Sequence, residues 1–306
     1  MAIRAFTDAD VDAAAELLAR RHERHRAAEP LLPTDVDFRA QIEREWSREG
    51  ASGAIAEAGY VIGAPASNTN TGGTRILVDL AGHSVEEPEL ARDLYGAAAS
   101  RWVDEGHTNH AVVVPSFDRE VVDAWFRLAF GLQFVYAVRE TAREAPVDTG
   151  VEIRPGTPAD LGAVARFDWL LWDLQSGSPS FSGQRVPPEA EFEAEWTDLW
   201  DDPELFTHFV AERDGRPIGH ALLYRRPTGD VRVPDSNIDL SHAATEPDVR
   251  GSGAGLALTA HILRWAHEQG FRSMTADWRS VNLLASRFWP RRGWRETHYR
   301  LYRSVP

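Results

Sequence analysis

The sequence predicts an α/β chain built from two similar halves, and three observations carry that prediction. A unit of strand, turn and helix recurs after 150 residues. Strand-like and helix-like runs alternate through both halves. Near the end of the second half, Arg250-Gly251-Ser252-Gly253-Ala254-Gly255 places a glycine-rich turn between an apolar strand-like run and an amphipathic helix.

The repeat begins as Ile3-Arg4-Ala5-Phe6-Thr7-Asp8-Ala9-Asp10 and returns as Ile153-Arg154-Pro155-Gly156-Thr157-Pro158-Ala159-Asp160. Each copy leads into a helix, over 11–24 and 161–174. Thr7 and Thr157 suit the N-cap, with Asp10 and Asp160 in a capping-box role. Pro65 to Gly73 is rich in turn formers and predicts a connection between strands. Residues 75–85 then predict a strand and 86–106 a helix, with Glu86, Glu87 and Glu89 at its start. The halves also end alike. Trp125-Phe126-Arg127-Leu128-Ala129-Phe130-Gly131-Leu132 parallels Arg287-Phe288-Trp289-Pro290-Arg291-Arg292-Gly293-Trp294, and a strand follows each. Thr141 to Gly150 lacks apolar periodicity and contains Pro146, so the expected division is 1–142 and 151–306, joined by a linker at 143–150.

In the second half the pattern predicts a strand at 151–154 and helices at 160–174 and 188–200. A hairpin follows, its strands at 207–213 and 217–225 turning at Asp214-Gly215. A strand at 238–245 precedes the glycine turn, the helix after it runs to a stop at Gly270, and 295–303 forms a last strand. Strict alternation along 238–245 puts Asp239 and Ser241 on one face, with Leu240 and His242 on the other.

Amides at a helix start have no intrahelical acceptor, and glycines let an anion approach them. Spacing sorts the possible anions. A Walker loop requires Gly-Lys-Ser/Thr, and all 33 basic residues of this chain are arginine. A dinucleotide fingerprint starting at Gly251 and Gly253 requires glycine where Leu256 stands.

The remaining pattern, Arg250-x-x-Gly253-x-Gly255, resembles the acetyl-CoA pyrophosphate loop of the GNAT superfamily of N-acetyltransferases. Asn282-x-x-Ala285-x-x-x-Trp289-x-x-x-Gly293-Trp294 is similar to a second motif of that family. The resemblance implies two tandem domains of α+β (α/β) class, each a twisted mixed central sheet flanked by helices. It implies acetyl transfer from acetyl-CoA to a primary amine of a small molecule, by direct attack in a ternary complex. The main chain of Ala243 and Thr245 would pair with the pantetheine arm, and an amide near Ala243 or Ala244 would face the oxyanion. The amides of Arg250, Gly251, Ser252, Gly253, Ala254 and Gly255 would hold the pyrophosphate, with Asn282 and Trp289 completing the cofactor site.

Asp239 and Ser241 occupy positions that face the acceptor amine in the family, so Asp239 is the expected base, acting through water. Trp289 stands where the family has a tyrosine acid, and an indole N–H does not ionise usefully. Ser286 is the expected relay in its place. Trp169, Trp172 and Asp173 suit an amine pocket through cation–π and ion-pair contacts. The three carboxylates at the first-half helix would repel a pyrophosphate, so that copy is expected to be degenerate. A non-catalytic acetyl-CoA-binding or regulatory module is the alternative function.

The 306 residues carry a formal net charge of -14 and no cysteine. The charge disfavours nucleic acid as a partner, and the absent thiols remove disulfides, thiolate metal sites and a cysteine nucleophile. No metal is expected. No apolar run reaches membrane-spanning length, and the first residues have no signal-peptide core. The expectation is a cytoplasmic protein, monomer or homodimer, with no membrane partner.

Overall fold

The computed structural model describes residues 2–67, 74–181, 186–200 and 202–305. The first half runs β1 (Arg4–Ala5), α1 (Val11–Ala28), α2 (Phe38–Trp46), β2 (Ser52–Ala56), β3 (Gly59–Ser67), β4 (Thr74–Val78), β5 (His83–Val85), α3 (Leu90–Asp104), β6 (Asn109–Pro115), α4 (Arg119–Phe126) and β7 (Gly131–Glu140). The second repeats that order with one strand fewer: β8 (Glu152–Pro155), α5 (Leu161–Ser176), α6 (Glu189–Trp200), β9 (Phe206–Arg213), β10 (Arg216–Tyr224), β11 (Asn237–Thr245), α7 (Ala254–Glu268), β12 (Ser273–Arg279), α8 (Leu283–Phe288) and β13 (Arg295–Ser304).

The repeated unit is locked the same way twice. Asp10 accepts from the backbone and hydroxyl of Thr7, and Asp160 does so from Thr157. Each aspartate also binds an arginine on the preceding strand, Arg4 or Arg154. These arginines are the first cause that holds both carboxyls down at about 2.

Two strand assignments need correction. The expected turn from Pro65 is strand as far as Ser67, because β3 pairs with β4 over Ala64–Ser67; the rest of that segment, 68–73, lies outside the described residues. The expected strand over 75–85 is broken after Val78 by a 3-10 turn at Leu80–Gly82, and β5 then pairs with β3.

The sheet is continuous across both halves, in the order β1-β2-β3-β4-β6-β13-β7-β12-β11-β10-β9-β8. The last strands change places: β13 pairs with β6, while β7 pairs with β12 and also with β13. Thus each half closes its sheet with the other half's final strand, a non-local pairing that local patterning does not encode. Residues 141–151 contain neither helix nor strand.

Helices α3, α4 and α7 share one apolar core along one face, including Leu94, Trp125, Leu258 and Ile262. On the other face the core is divided. One cluster lies under α1 and α2 around Leu18 and Ile42, and another under α5 and α6 around Val164 and Trp196. The sheet between them carries charged side chains.

Candidate active site

Strands β11 and β12 pair in parallel only from Asn237 to Leu240, against Ser273 to Ala276. Beyond Leu240 they separate, and residues 242–245 pair with β10 alone. A wedge therefore opens with one strand edge unpaired, an arrangement that lets an extended, amide-bearing ligand add as a strand. In the β10 register, Leu222 faces His242 and Leu223 faces Leu240, so Ser241 is a bulge.

The bulge overturns the alternation expected for this strand. Leu240 and Ala243 pack into the α7-side core, and His242 joins Asp239 on the α5–α6 side. An extra residue reverses the parity of everything after it.

At the wedge mouth the chain turns through Gly251 and Gly253, with φ of +81° and +89°, into α7. Only glycine adopts that geometry without strain. A Cβ on Gly251 would meet nothing within 4 Å, so the turn is open to a ligand there. A Cβ on Gly253 would lie 2.5 Å from Thr149 Cγ2. The same Thr149 offers its carbonyl to Arg213, which also approaches the Ser252 hydroxyl at 3.4 Å.

These elements enclose a cavity of about 510 Å³. Of the predicted cofactor residues, Ala243, Ala244, Thr245, Arg250, Gly251, Gly253, Ala254, Gly255, Asn282 and Trp289 line it, and Ser252 does not. Asn282 also caps α8, accepting from the amides of Leu284 and Ala285. The opposite wall is Leu170, Leu171 and Leu174 of α5. Trp169 and Trp172 pack instead against the cluster under α5 and α6, and Asp173 is exposed. Ser286 lies outside the wall formed by Ala285, Phe288 and Trp289.

The charged cavity residue that the sequence did not point to is Arg292. Arg292 stands over the Phe288 ring, its Nη1 donates to the Phe288 carbonyl, and its buried Nε has no partner. Its only sequence signal is the Arg291-Arg292 pair.

On the α5–α6 face, Asp239 is 4% exposed and both its oxygens are engaged, by the Thr275 hydroxyl at 2.7 Å and Arg226 at 3.1 Å. His242 Nε2 lies 3.2 Å from Asp168 Oδ1, and the Trp196 indole donates to the other oxygen of Asp168. Both ring nitrogens of His242 are buried and neither has a hydrogen-bond partner. His220 and His208 continue the row on β10 and β9, with Trp196 against all three rings. Burial holds His220 well below its ordinary value and His208 down at about 4, so both are neutral. Beside the apex, burial followed by the Asp239 charge pushes the Asp277 carboxyl up to about 6.

The first half treats the same region differently. Where β4 and β6 would separate, His83 hydrogen-bonds across to the Val113 carbonyl at 2.8 Å. Trp125 packs edge-on against His83, Tyr95 and Phe130, fully buried. Trp125 is seven residues beyond the N-cap Asp118, as Trp289 is beyond Asn282. At the start of α3, Glu86 pairs with Arg20, and Glu89 with Arg92 and Arg127.

A wedge between parallel strands leading to a glycine turn at a helix start suits a ligand with an extended amide arm and an anionic end, and comparison with known proteins points to a family. Residues 169–294 match the model of the acetyltransferase (GNAT) family. A GCN5-related N-acetyltransferase from Sphaerobacter thermophilus is similar over 100% of this chain and 96% of its own, with 15% identity and a TM-score of 0.61. A tandem GNAT protein from the clavulanic acid biosynthesis pathway is similar over 100% and 99%, with 11% identity and a TM-score of 0.54. No curated protein matches the chain by sequence. Residues 169–294 are thus similar to the GNAT acetyltransferase family, and the whole chain shares the fold of these two solved structures.

Proposed function

We propose that the protein is an acetyl-CoA-dependent N-acetyltransferase that acts on a primary amine of a small molecule, by direct attack in a ternary complex. The observation that carries this reading is the convergence of an unpaired strand edge, 241–245, with the open glycine turn on one 510 Å³ cavity. The residues fit the donor. Gly251 leaves room for an anion, the first amides of α7 lack acceptors, and Arg292 Nε lacks a partner.

Acetyl-CoA would supply an activated thioester. The chain's part is to hold it, orient the amine and move a proton. Residues 250, 251 and 253–255 with Arg292 would hold the pyrophosphate, and the free edge of Ala243 and Thr245 the pantetheine amides. An amide at Ala243 or Ala244 would stabilise the oxyanion.

We assign the base to His242 rather than Asp239. Asp239 is committed to Arg226 and Thr275, whereas neither ring nitrogen of His242 is hydrogen-bonded and Asp168 lies 3.2 Å from Nε2, where it would stabilise the imidazolium. No tyrosine lines the cavity among the described residues; Trp289 packs between Phe288 and Trp294. A coenzyme thiol with pKa near ~8.5 leaves as thiolate at modest cost. That same tryptophan favours a second reading, a module that binds acetyl-CoA without turnover.

Calorimetry with acetyl-CoA tests the site, and no binding at millimolar ligand would reject both readings. Thiol release over a panel of amines separates them.

A further inference from the structure

The seam of the sheet, on the face between the α1–α2 and α5–α6 layers, is frustrated twice in opposite senses. At the wedge apex two carboxylates, Asp239 and Asp277, lie on neighbouring strands; burial and then the Asp239 charge push the Asp277 carboxyl up, Arg226, Arg300 and Arg279 partly offset this, and Asp239 forms an ion pair with Arg226. In the next register row, Arg279 on β12, Phe134 on β7 and Arg300 on β13 are cross-strand neighbours. Both guanidinium groups lie on the Phe134 ring, at 5.0 Å for Arg279 and 4.0 Å for Arg300. Arg279 donates to Gln175, at the C-terminal end of α5, and Arg300 to Gln133.

A third arginine adds to this positive charge. Arg75 on β4 is 6% exposed, and its Nε and Nη1 have no partner. Arg300 repels it, while Asp79, Tyr136 and Tyr302 act on it in the opposite sense. Among the described residues neither Arg75 nor Arg300 forms an ion pair within 4.0 Å. A buried guanidinium without an ion pair is unfavourable unless an anion reaches it.

We propose that this seam is the acceptor site and that the acceptor is an amine carrying a separate anionic group, a carboxylate or a phosphate. The amine would meet Asp239 and Asp277 at the apex, next to His242, and the anion would meet Arg300 and Arg75. Asp277 and Arg279 are two residues apart, about 7 Å along the strand, and Arg300 is two strands further, about 10 Å across. Such spacing selects a chain of several bonds between the charges, longer than in an α-amino acid. It also gives the first half a part in recognition, since Arg75, Phe134 and Tyr136 belong to that half of the chain.

The turnover side of this proposal rests on the acetyltransferase reading; the charge preference does not. With the full-length protein, thiol release is measured for 6-aminohexanoate, 5-aminopentyl phosphate and hexylamine. At least one anionic amine should have a KM at least about tenfold below that of hexylamine, and which one does so distinguishes carboxylate from phosphate. Arg300→Gln and Arg75→Gln, checked for an unchanged melting transition, should each raise that KM about tenfold and leave the Kd for acetyl-CoA unaltered. Arg300→Lys should restore part of the loss. If no amine turns over, the same three compounds are titrated with the protein in saturating coenzyme A, or alone if coenzyme A does not bind. Anion-dependent binding lost in Arg300→Gln supports the site. Equal behaviour of hexylamine and both anionic amines, no binding by any of the three, or a preference that survives both substitutions overturns it.

Discussion

At the fourth strand the two halves diverge. In the second, β11 bulges at Ser241 and runs on without a partner on its β12 side, and the chain enters α7 through two left-handed glycines. In the first, β4 stops at Val78, β5 returns to β3, and His83 and Trp125 occupy the space. The helix after it starts at a cluster of glutamates tied to arginines, where the other has glycine. One scaffold thus yields an open wedge or a filled one. A few residues decide which: glycine or glutamate at the helix start, and a tryptophan that lines a cavity in one half and plugs it in the other.

The largest effect expected from breaking this contrast is in the filled wedge. Trp125→Ala should cost about 3–5 kcal/mol in chemical denaturation, with less than a threefold change in acetyl-CoA affinity. A large loss of affinity would mean that the first wedge takes part in binding. In the open wedge, Gly253→Ala forces a non-glycine residue into φ +89° and a methyl against Thr149. Affinity for acetyl-CoA should fall about a hundredfold, near 2.7 kcal/mol, as read by calorimetry; unaltered affinity would remove the turn from the site. His242→Ala should lower kcat about a hundredfold, and Asp239→Asn less, in the thiol-release assay. The reverse order would return the base role to Asp239.

The smallest effect compares the repeated locks. Asp10 and Asp160 are both depressed to about 2, first by their arginines, so each contributes stability that is full above the unfolded value near ~3.9 and lost as pH falls through about 2. Asp160→Asn should therefore destabilise by about 1–2 kcal/mol at neutral pH and by little near pH 2. Asp10→Asn should cost less, because its partner Arg4 is mostly exposed, whereas Arg154 is more buried and also holds Glu212. Equal losses at both positions would contradict that ranking.

What the sequence reveals here is local. The glycine turn, the helix it starts and the two capping boxes depend on residues a few positions apart, and the structure forms each of them. The exchange of β7 and β13 depends on which distant strands meet, and the Ser241 bulge on register against β10. Neither leaves a periodic signal, so alternation misplaced His242, and the Asp168–His242 contact could not be foreseen. Helix α5 shows a related limit. Its tryptophans drew attention as an amine pocket, but its leucines face the cavity, because the side chains with most apolar area went to the interior packing with α6.

The contrast between the wedges is tested most directly by the stoichiometry of acetyl-CoA binding to the intact chain, measured by calorimetry at known active concentration. One open and one filled wedge predict a single site per chain, abolished or strongly weakened by Gly253→Ala. Two sites per chain, or one site indifferent to that substitution, would contradict the assignment.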